Sequence, residues 1–391
     1  MKTQSLNIGF MPLVDAAPLI IAHELGFAEE EGLTLTLQPS PSWSTLRDHL
    51  VLGQIDAAHM LSPVPIAMAL GLGGISTRLD ALSVLSVNGN VFGVSNELAS
   101  RLRASEFKPD FTDALAAGQA LAQVSGELRI GVPFPFSMHA ELLHYWLVTF
   151  GQTAPQALKV RTIPPPLMAD AIASGEIDAF CVGEPWGSIT VENGGGELLL
   201  PGARIWQFCP EKVLAVRSDW VSTNDNLAGR LLRATWKAGR WLGDASKLST
   251  AAEILGWPEY LGIPAEILER SLTGHMIVSQ HAPVQRVPRM VAFFDAAATF
   301  PWKSQAAFIA TQLANRHGLD PIAAARDAAT IFRSDLYRRH LAPLGADMPG
   351  ASVKLEGALA VPTSVASDNG TLILGPDAFF DGRIFDPPVL E

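Results

Sequence analysis

The sequence predicts an α/β protein of two similar lobes around a ligand cleft, with additional helices in its C-terminal part. Three features predict it. The stretch LGQIDAAHM (52–60) returns in altered form as SGEIDAFCV (174–182), both times after a helical pattern and before an apolar run. Each copy sits in an alternation of strand and helix patterns, the signature of a parallel sheet covered by helices. From about residue 220 the strand patterns give way to a succession of amphipathic helical ones.

Taken in order, LNIGF (6–10) has strand character. APLIIAHELGF (17–27) carries apolar residues at helical spacing and closes at Gly26. LTLTLQP (33–39) alternates as a half-buried strand does. STLRDHLVLG (44–53) reads as a helix with Ser44 at its N-cap and Gly53 as its stop. IDAAHML (55–61) is the next strand, completing βαβαβ. Charged and small residues over 96–125 suggest connecting helices and loop. The grammar then resumes: ELRIGVP (127–133) as strand, SMHAELLHYWLVTFG (137–151) as helix and LKVRTIPP (158–165) as strand. PLMADAIASG (166–175) is a helix opened by Pro and stopped by Gly, and IDAFCV (177–182) is a strand. Helices follow at 226–245, 250–257, 265–272, 304–318 and 321–341, expected to pack on one of the lobes, and the tail from 350 reads as irregular covering structure.

Composition narrows the function. Hydrophobic residues make up 48% and charged residues 17%, which marks a compact chain with sizeable cores. The net charge of −11 argues against a nucleic-acid-binding face. A small anion stays open as a ligand, because one buried lysine outweighs distant surface carboxylates. Cys181 and Cys209 lie in neither a C-x-x-C nor a His-interleaved spacing, so neither a metal site nor a structural disulfide is expected. G-x-S-x-G, Walker and H-E-x-x-H patterns are missing, and LGLGG (70–74) follows no strand and precedes no Lys, so an enzyme is not expected. MKTQS leads straight into LNIGF without the basic, apolar and small-residue segments of a secretory signal. No run of about 18 apolar residues suggests a membrane span. The expectation is a cytoplasmic protein.

In open α/β sheets ligands sit beyond the carboxyl ends of strands, so the residues after each strand carry the candidate site. His139 stands near the start of a helix opened by Ser137, where unpaired N–H groups and the helix dipole favour an anion. Spacing leaves two readings open: a donor to an oxyanion, or a histidine satisfied by a nearby carbonyl. His144, five positions on, misses the i+4 metal-pair spacing and reads as structural. Lys212, in CPEKVLAV, is either a snorkelling surface residue or the compact cation that holds a buried anion. Trp43, just before a helix, is a packing residue or a flat wall for a planar ligand. Gly183 begins the GEPW ending that faces the crevice.

GFMPLVDAAPLIIAHELGF, PSWSTLRDHLVLGQIDAAHMLSP, VNGN, FPFSMHAELLHYWL, PPPLMADAIASGEIDAFCVGEPW, PEKVLAVRSDWV and GPDAFFDGRIFDP together span nearly the full length. They resemble the NrtA-like nitrate- and bicarbonate-binding proteins of ABC transporters. The resemblance implies a type II periplasmic-binding-protein-like fold whose lobes close on an oxyanion, with no cofactor and no metal. It places ligand contacts on Trp43, His139, the backbone at Gly183, and Lys212, and a further one on Asn90, where the family has a longer Gln. Phe136 and Met138 add bulk to a loop that is small and Gly-rich in the family. Bicarbonate-binding relatives have an acidic residue and calcium where this chain has Lys212, so the resemblance points to nitrate or nitrite.

Together with the expected cytoplasmic location, the resemblance is nearest to NasS-type sensors. These imply a nitrate/nitrite sensor that sequesters an ANTAR-type, RNA-binding antiterminator of the NasT type and releases it on ligand binding, with no direct contact to nucleic acid. The alternative is the substrate-binding component of an ABC transporter for nitrate or a related anion. The expected division is 1–95 for the first part of lobe I, 96–210 for lobe II, and 211–391 for the completion of lobe I with the C-terminal helices and tail.

Overall fold

The computed structural model describes residues 3–124, 126–151, 158–280 and 282–389. In chain order the strands are β1 (Gln4–Phe10), β2 (Leu33–Pro39), β3 (Ala57–Leu61) and β4 (Leu79–Asn88). The chain then crosses to β5 (Asn90–Ser95), β6 (Leu128–Val132), β7 (Leu158–Thr162), β8 (Ala179–Gly183) and β9 (Gly196–Pro201), and returns as β10 (Pro210–Arg217). One sheet runs β4-β10-β3-β1-β2, with the two-residue strand Val291–Ala292 beyond β4; the other runs β7-β6-β8-β5-β9. The two I-D-A copies therefore enter strands of different sheets. This is the two-lobed, type II periplasmic-binding-protein-like α/β fold, with extra C-terminal helices.

Both sheets are mixed rather than parallel throughout. β1 pairs in parallel with β2 and β3, but β10 runs antiparallel to β3 and β4. In the second sheet β5 runs antiparallel to β8 and β9. The reason is the connection between lobes: β4 leaves the first sheet at the end where β10 re-enters it, so the two must run in opposite directions. β5, which the sequence reading assigned to the first lobe, is a strand of the second sheet.

The two crossings are tied together at one point. Asn88 adopts φ +62° and Gly89 φ +101°, a left-handed turn that Asn and Gly tolerate best. The Asn88 N–H donates to the Cys209 carbonyl at 2.8 Å, and the Cys209 N–H donates to Asn88 Oδ1 at 3.2 Å. Asn88 Nδ2 donates to the carbonyls of Gln207 and Arg289.

The helices are α1 (Ala17–Glu24), α2 (Phe27–Glu30), α3 (Trp43–Val51), α4 (Pro63–Ala69), α5 (Asn96–Ala104), α6 (Ala114–Val124), α7 (Met138–Val148), α8 (Met168–Ala173) and α9 (Trp186–Glu192). After β10 come α10 (Ser218–Thr223), α11 (Asp225–Leu242), α12 (Leu248–Leu255), α13 (Ala265–Thr273), α14 (Lys303–His317), α15 (Pro321–Ala329) and α16 (Ser334–Leu341). α3 is capped by Ser42 rather than Ser44: Ser42 has an extended backbone and its hydroxyl accepts the Thr45 N–H at 3.2 Å. The single helix expected over 321–341 is broken in two. Between α15 and α16, Ile331 and Phe332 are fully buried. The Ala81 N–H donates to the Ile331 carbonyl and the Arg333 N–H to the Ala81 carbonyl, both at 2.9 Å. An edge of β4 needed partners there, and extended backbone supplies them where helix cannot.

The C-terminal part does not confine itself to one lobe. Leu231 and Leu232 on α11 pack with Leu19 and Ile20 on α1, in the core of the first lobe. Met276, Val287 and Met290 pack with Val91, Ile163 and Phe180 of the second lobe, and the Leu198 N–H donates to the Val278 carbonyl at 2.8 Å. The tail returns over the crossing, where Phe379 lies 5.1 Å from the Trp206 ring and 4.8 Å from Phe308. Cys181 and Cys209 are free thiols. Among the described residues no helix is long and apolar enough to cross a membrane.

Candidate functional site

The site is built where the two lobes meet. The turn after β1 carries Leu13, Val14 and Asp15. The Val14 N–H donates across the seam to the Glu184 carbonyl at 3.0 Å, and Trp186 Nε1–H donates to the Pro12 carbonyl at 2.9 Å. The ending of the second repeat is thus bonded to the first lobe.

Lys212 is the electrostatic centre. Its side chain is fully buried, and Nζ lies 2.7 Å from Asp15 Oδ2 and 2.8 Å from Glu211 Oε1. Consecutive residues of a regular strand point to opposite faces. Here the register of β10 against β4 shifts on both sides of Lys212, and this irregularity lets Glu211 and Lys212 share the seam. Lys212 Nζ also stands 5.4 Å from the centre of the Trp43 ring. Asp15 turns its other oxygen to His59 on β3, with Nε2 at 3.0 Å. The His59 Nδ1 accepts the Met11 N–H at 3.4 Å, so the ring proton sits on Nε2 and faces Asp15.

The second lobe contributes Asn90, His139 and Gly183. Asn90 and Gly183 are paired across β5 and β8. Asn90 Nδ2 donates to Glu211 Oε2 at 2.6 Å, joining the lobes. His139 is held at the start of α7 by the Ser137 cap, whose hydroxyl accepts the Ala140 N–H. His139 Nδ1 is 3.5 Å from Glu211 Oε1, too long for a hydrogen bond. A Cβ on Gly183 would lie 2.9 Å from Leu13 Cδ2, 3.6 Å from Asn90 Oδ1 and 3.7 Å from His139 Nε2. Only glycine lets these side chains come so close.

The structure therefore brings together all five residues singled out in the sequence. Trp43 and His139 are each 1% exposed. Trp43 Nε1, Asn90 Oδ1 and both ring nitrogens of His139 have no hydrogen-bond partner among the described residues. Buried polar atoms are almost always paired, so a cluster of orphans beside a buried cation marks a place for a polar guest. Phe136 packs against the Gly73 turn and the His317 ring, and Met138 is buried in the core.

Three charged or titratable partners were not singled out: Asp15, His59 and Glu211. Asp15 and His59 had a faint signal, a polar residue inside an apolar run, whereas Glu211 stands beside Lys212 at the start of its strand. Burial pushes the Asp15 carboxyl up, but Lys212 and His59 outweigh it and hold it well below the usual range. Burial alone would lower Lys212, yet the two carboxylates raise it. Burial pushes Glu211 up, and Lys212 does not fully offset that. Burial also lowers His59 despite Asp15 beside it, and burial with the nearby Lys212 lowers His139 well below the ordinary histidine value. The resting site thus pairs Lys212 with Asp15, beside two histidines held below their ordinary value and a Glu211 carboxyl raised above its own.

Comparison with known proteins bears on what this arrangement is for. Residues 1–256 match the NMT1-like family. The chain is 31% identical over 396 residues to the nitrate/nitrite binding protein NrtA of a Synechocystis strain, covering 99% of this chain and 83% of that protein. The crystal structure of the periplasmic nitrate-binding protein NrtA from Synechocystis PCC 6803 superposes with a TM-score of 0.84 at 27% identity, covering 98% of this chain and 96% of that one. The nitrate import ATP-binding protein NrtC of Synechococcus elongatus is 32% identical over 353 residues, covering 88% of this chain and 51% of that protein.

These relatives correct the expectation of a cytoplasmic sensor. That reading rested on the first few residues, whereas the similarity to binding proteins runs over 99% of the chain and the solved relative is a periplasmic protein. The expected NasT-type antiterminator partner falls with it, since the relatives include an ATP-binding protein of nitrate import, a component of an ABC transporter. The chain is a non-catalytic solute-binding protein. It belongs to the NMT1-like family and to the NrtA-like solute-binding proteins of ABC transporters.

Proposed function

We propose that this protein is the solute-binding component of an ABC importer for a small planar oxyanion, nitrate or nitrite, and that it binds the anion at Lys212 without turning it over. The observation that carries the reading is the buried Lys212 ammonium at the seam, 5.4 Å from the centre of the Trp43 ring of one lobe, with Glu211 linking it to Asn90 and His139 of the other. Nitrate is flat, singly charged and weakly basic. One cation, a few N–H donors and a flat wall suit it. Trp43 Nε1–H and a His139 N–H are donors without another partner among the described residues. Similarity to NrtA over nearly the full length supports the same ligand class. The partners on this reading are the membrane-embedded and ATP-binding subunits of an importer. The lobes move about the crossings at 88–90 and 201–210 and present a closed, loaded form to them.

Calorimetric titration with nitrate, nitrite, bicarbonate, sulfate and a short alkanesulfonate tests the reading. Nitrate and nitrite bind and are recovered unchanged. Lys212→Ala costs about 3–5 kcal/mol of affinity, the scale for breaking a buried ion pair. Tight binding of the sulfonate alone, or an unaltered nitrate affinity in Lys212→Ala, would overturn it.

A further inference from the structure

Lys212 carries one positive charge, and two carboxylates already claim it at 2.7 and 2.8 Å. All three groups are buried. Adding a monoanion to an ionised Asp15, Glu211 and Lys212 would leave a net charge of −2 in a dry seam. One negative charge has to go, and a proton from solvent is the smallest way to remove it. This argument rests on the anion-binding reading above.

We propose that Glu211 is a specificity-determining residue that admits the anion only together with one proton. An anion without hydrogen, such as nitrate, needs that proton on Glu211, whose O–H then donates to the anion. An anion that carries its own O–H, such as bicarbonate, donates that O–H to an ionised Glu211 instead. Either way the pair shares one hydrogen between two acceptors that would otherwise repel.

The geometry selects Glu211 over its neighbours. Its Oε2 accepts from Asn90 Nδ2 at 2.6 Å and its Oε1 from Lys212. Facing it are Lys212 on its own strand, Asp15 from the β1–α1 turn, His139 from α7, and the thiols of Cys181 on β8 and Cys209, with His59 behind Asp15. Burial raises both thiols, which are already protonated and have no proton to gain. Burial pushes both histidines below their ordinary value, which disfavours their taking the proton, and Lys212 and His59 hold the Asp15 carboxyl well below the usual range. Glu211 is left as the group whose proton can come and go.

The test is calorimetry of nitrate binding between pH 5 and 9 in buffers of different ionisation heat. The full-length protein takes up protons on binding nitrate, approaching one per anion as pH rises. Its nitrate affinity falls by up to tenfold per pH unit over that range. Glu211→Gln, which keeps the shape and is permanently neutral, binds nitrate with no proton uptake and a flat pH profile. Bicarbonate binding to the wild-type protein takes up fewer protons than nitrate at the same pH. If the wild-type protein binds nitrate with no proton uptake at any of these pH values, or Glu211→Gln keeps the wild-type pH dependence, Glu211 does not have this role while the anion site stands. A wild-type protein that binds no anion of the panel overturns the site reading as well.

Discussion

Lys212 Nζ and Asp15 Oδ2 meet at 2.7 Å, and neither side chain reaches solvent. The two residues come from a strand that returns from the second lobe and a turn at the start of the first. Their pairing makes the site part of the fold as well as a binding place. Asp15→Ala removes the counter-charge and leaves a buried ammonium with Glu211 alone. A loss of about 3–5 kcal/mol in folding stability is expected from urea unfolding. An Asp15→Ala protein within about 0.5 kcal/mol of wild type, the scale of a neutral surface change, would show that the pair contributes nothing.

Glu211 gives a stability prediction of the opposite sign. Its folded pKa is raised, so between the unfolded value of about 4.3 and the folded one the native state holds more protons than the unfolded chain. Stability contributed by this group is then lost as pH rises through that window. Glu211→Gln should gain on wild type, in unfolding free energy, as pH rises from about 4, near the unfolded value, through the folded value. A gap that stays constant or shrinks would count against a raised Glu211.

Asn88 ties the crossings together. Its side chain makes three hydrogen bonds, to Cys209, Gln207 and Arg289, from a left-handed backbone. Asn88→Ala loses all three, at about 1 kcal/mol each, and adds about 1 kcal/mol of backbone strain. Asn88→Gly recovers only the strain. Chemical denaturation of the two variants should therefore differ by about 1 kcal/mol, with Gly the more stable.

Gly183→Ala probes lobe closure. The added methyl would press on Leu13 of the other lobe at 2.9 Å. Nitrate affinity should fall by roughly 1–3 kcal/mol from overpacking. X-ray scattering in saturating nitrate should show a larger radius of gyration than for wild type. Unchanged affinity would mean that the lobes do not close at Gly183.

Legibility in the sequence followed the range of the interaction. β2 spans the predicted residues 33–39 because LTLTLQP alternates buried and exposed, a local pattern. The helix over 321–341 was overrun because Ile331 and Phe332 fit helical spacing, and only β4, far away in sequence, draws them into extended backbone. Two serines stand within reach of the start of α3, and spacing does not choose between Ser42 and Ser44. Trp43, His139 and Lys212 carry chemistry at the ends of elements, where the eye is drawn. Asp15 and His59 sit inside apolar runs, where a lone polar residue resembles a satisfied core residue. Strand alternation argues against Glu211 lying beside Lys212, and the register shift that overrules it comes from β4.

A crystal structure of the protein grown with nitrate decides whether the anion sits at Lys212. Flat, three-lobed density is expected within hydrogen-bonding distance of Lys212 Nζ, against the Trp43 ring and between Asn90, His139 and Gly183. Nitrate bound elsewhere, with Lys212 still held by both Asp15 and Glu211 as it is here, would contradict it.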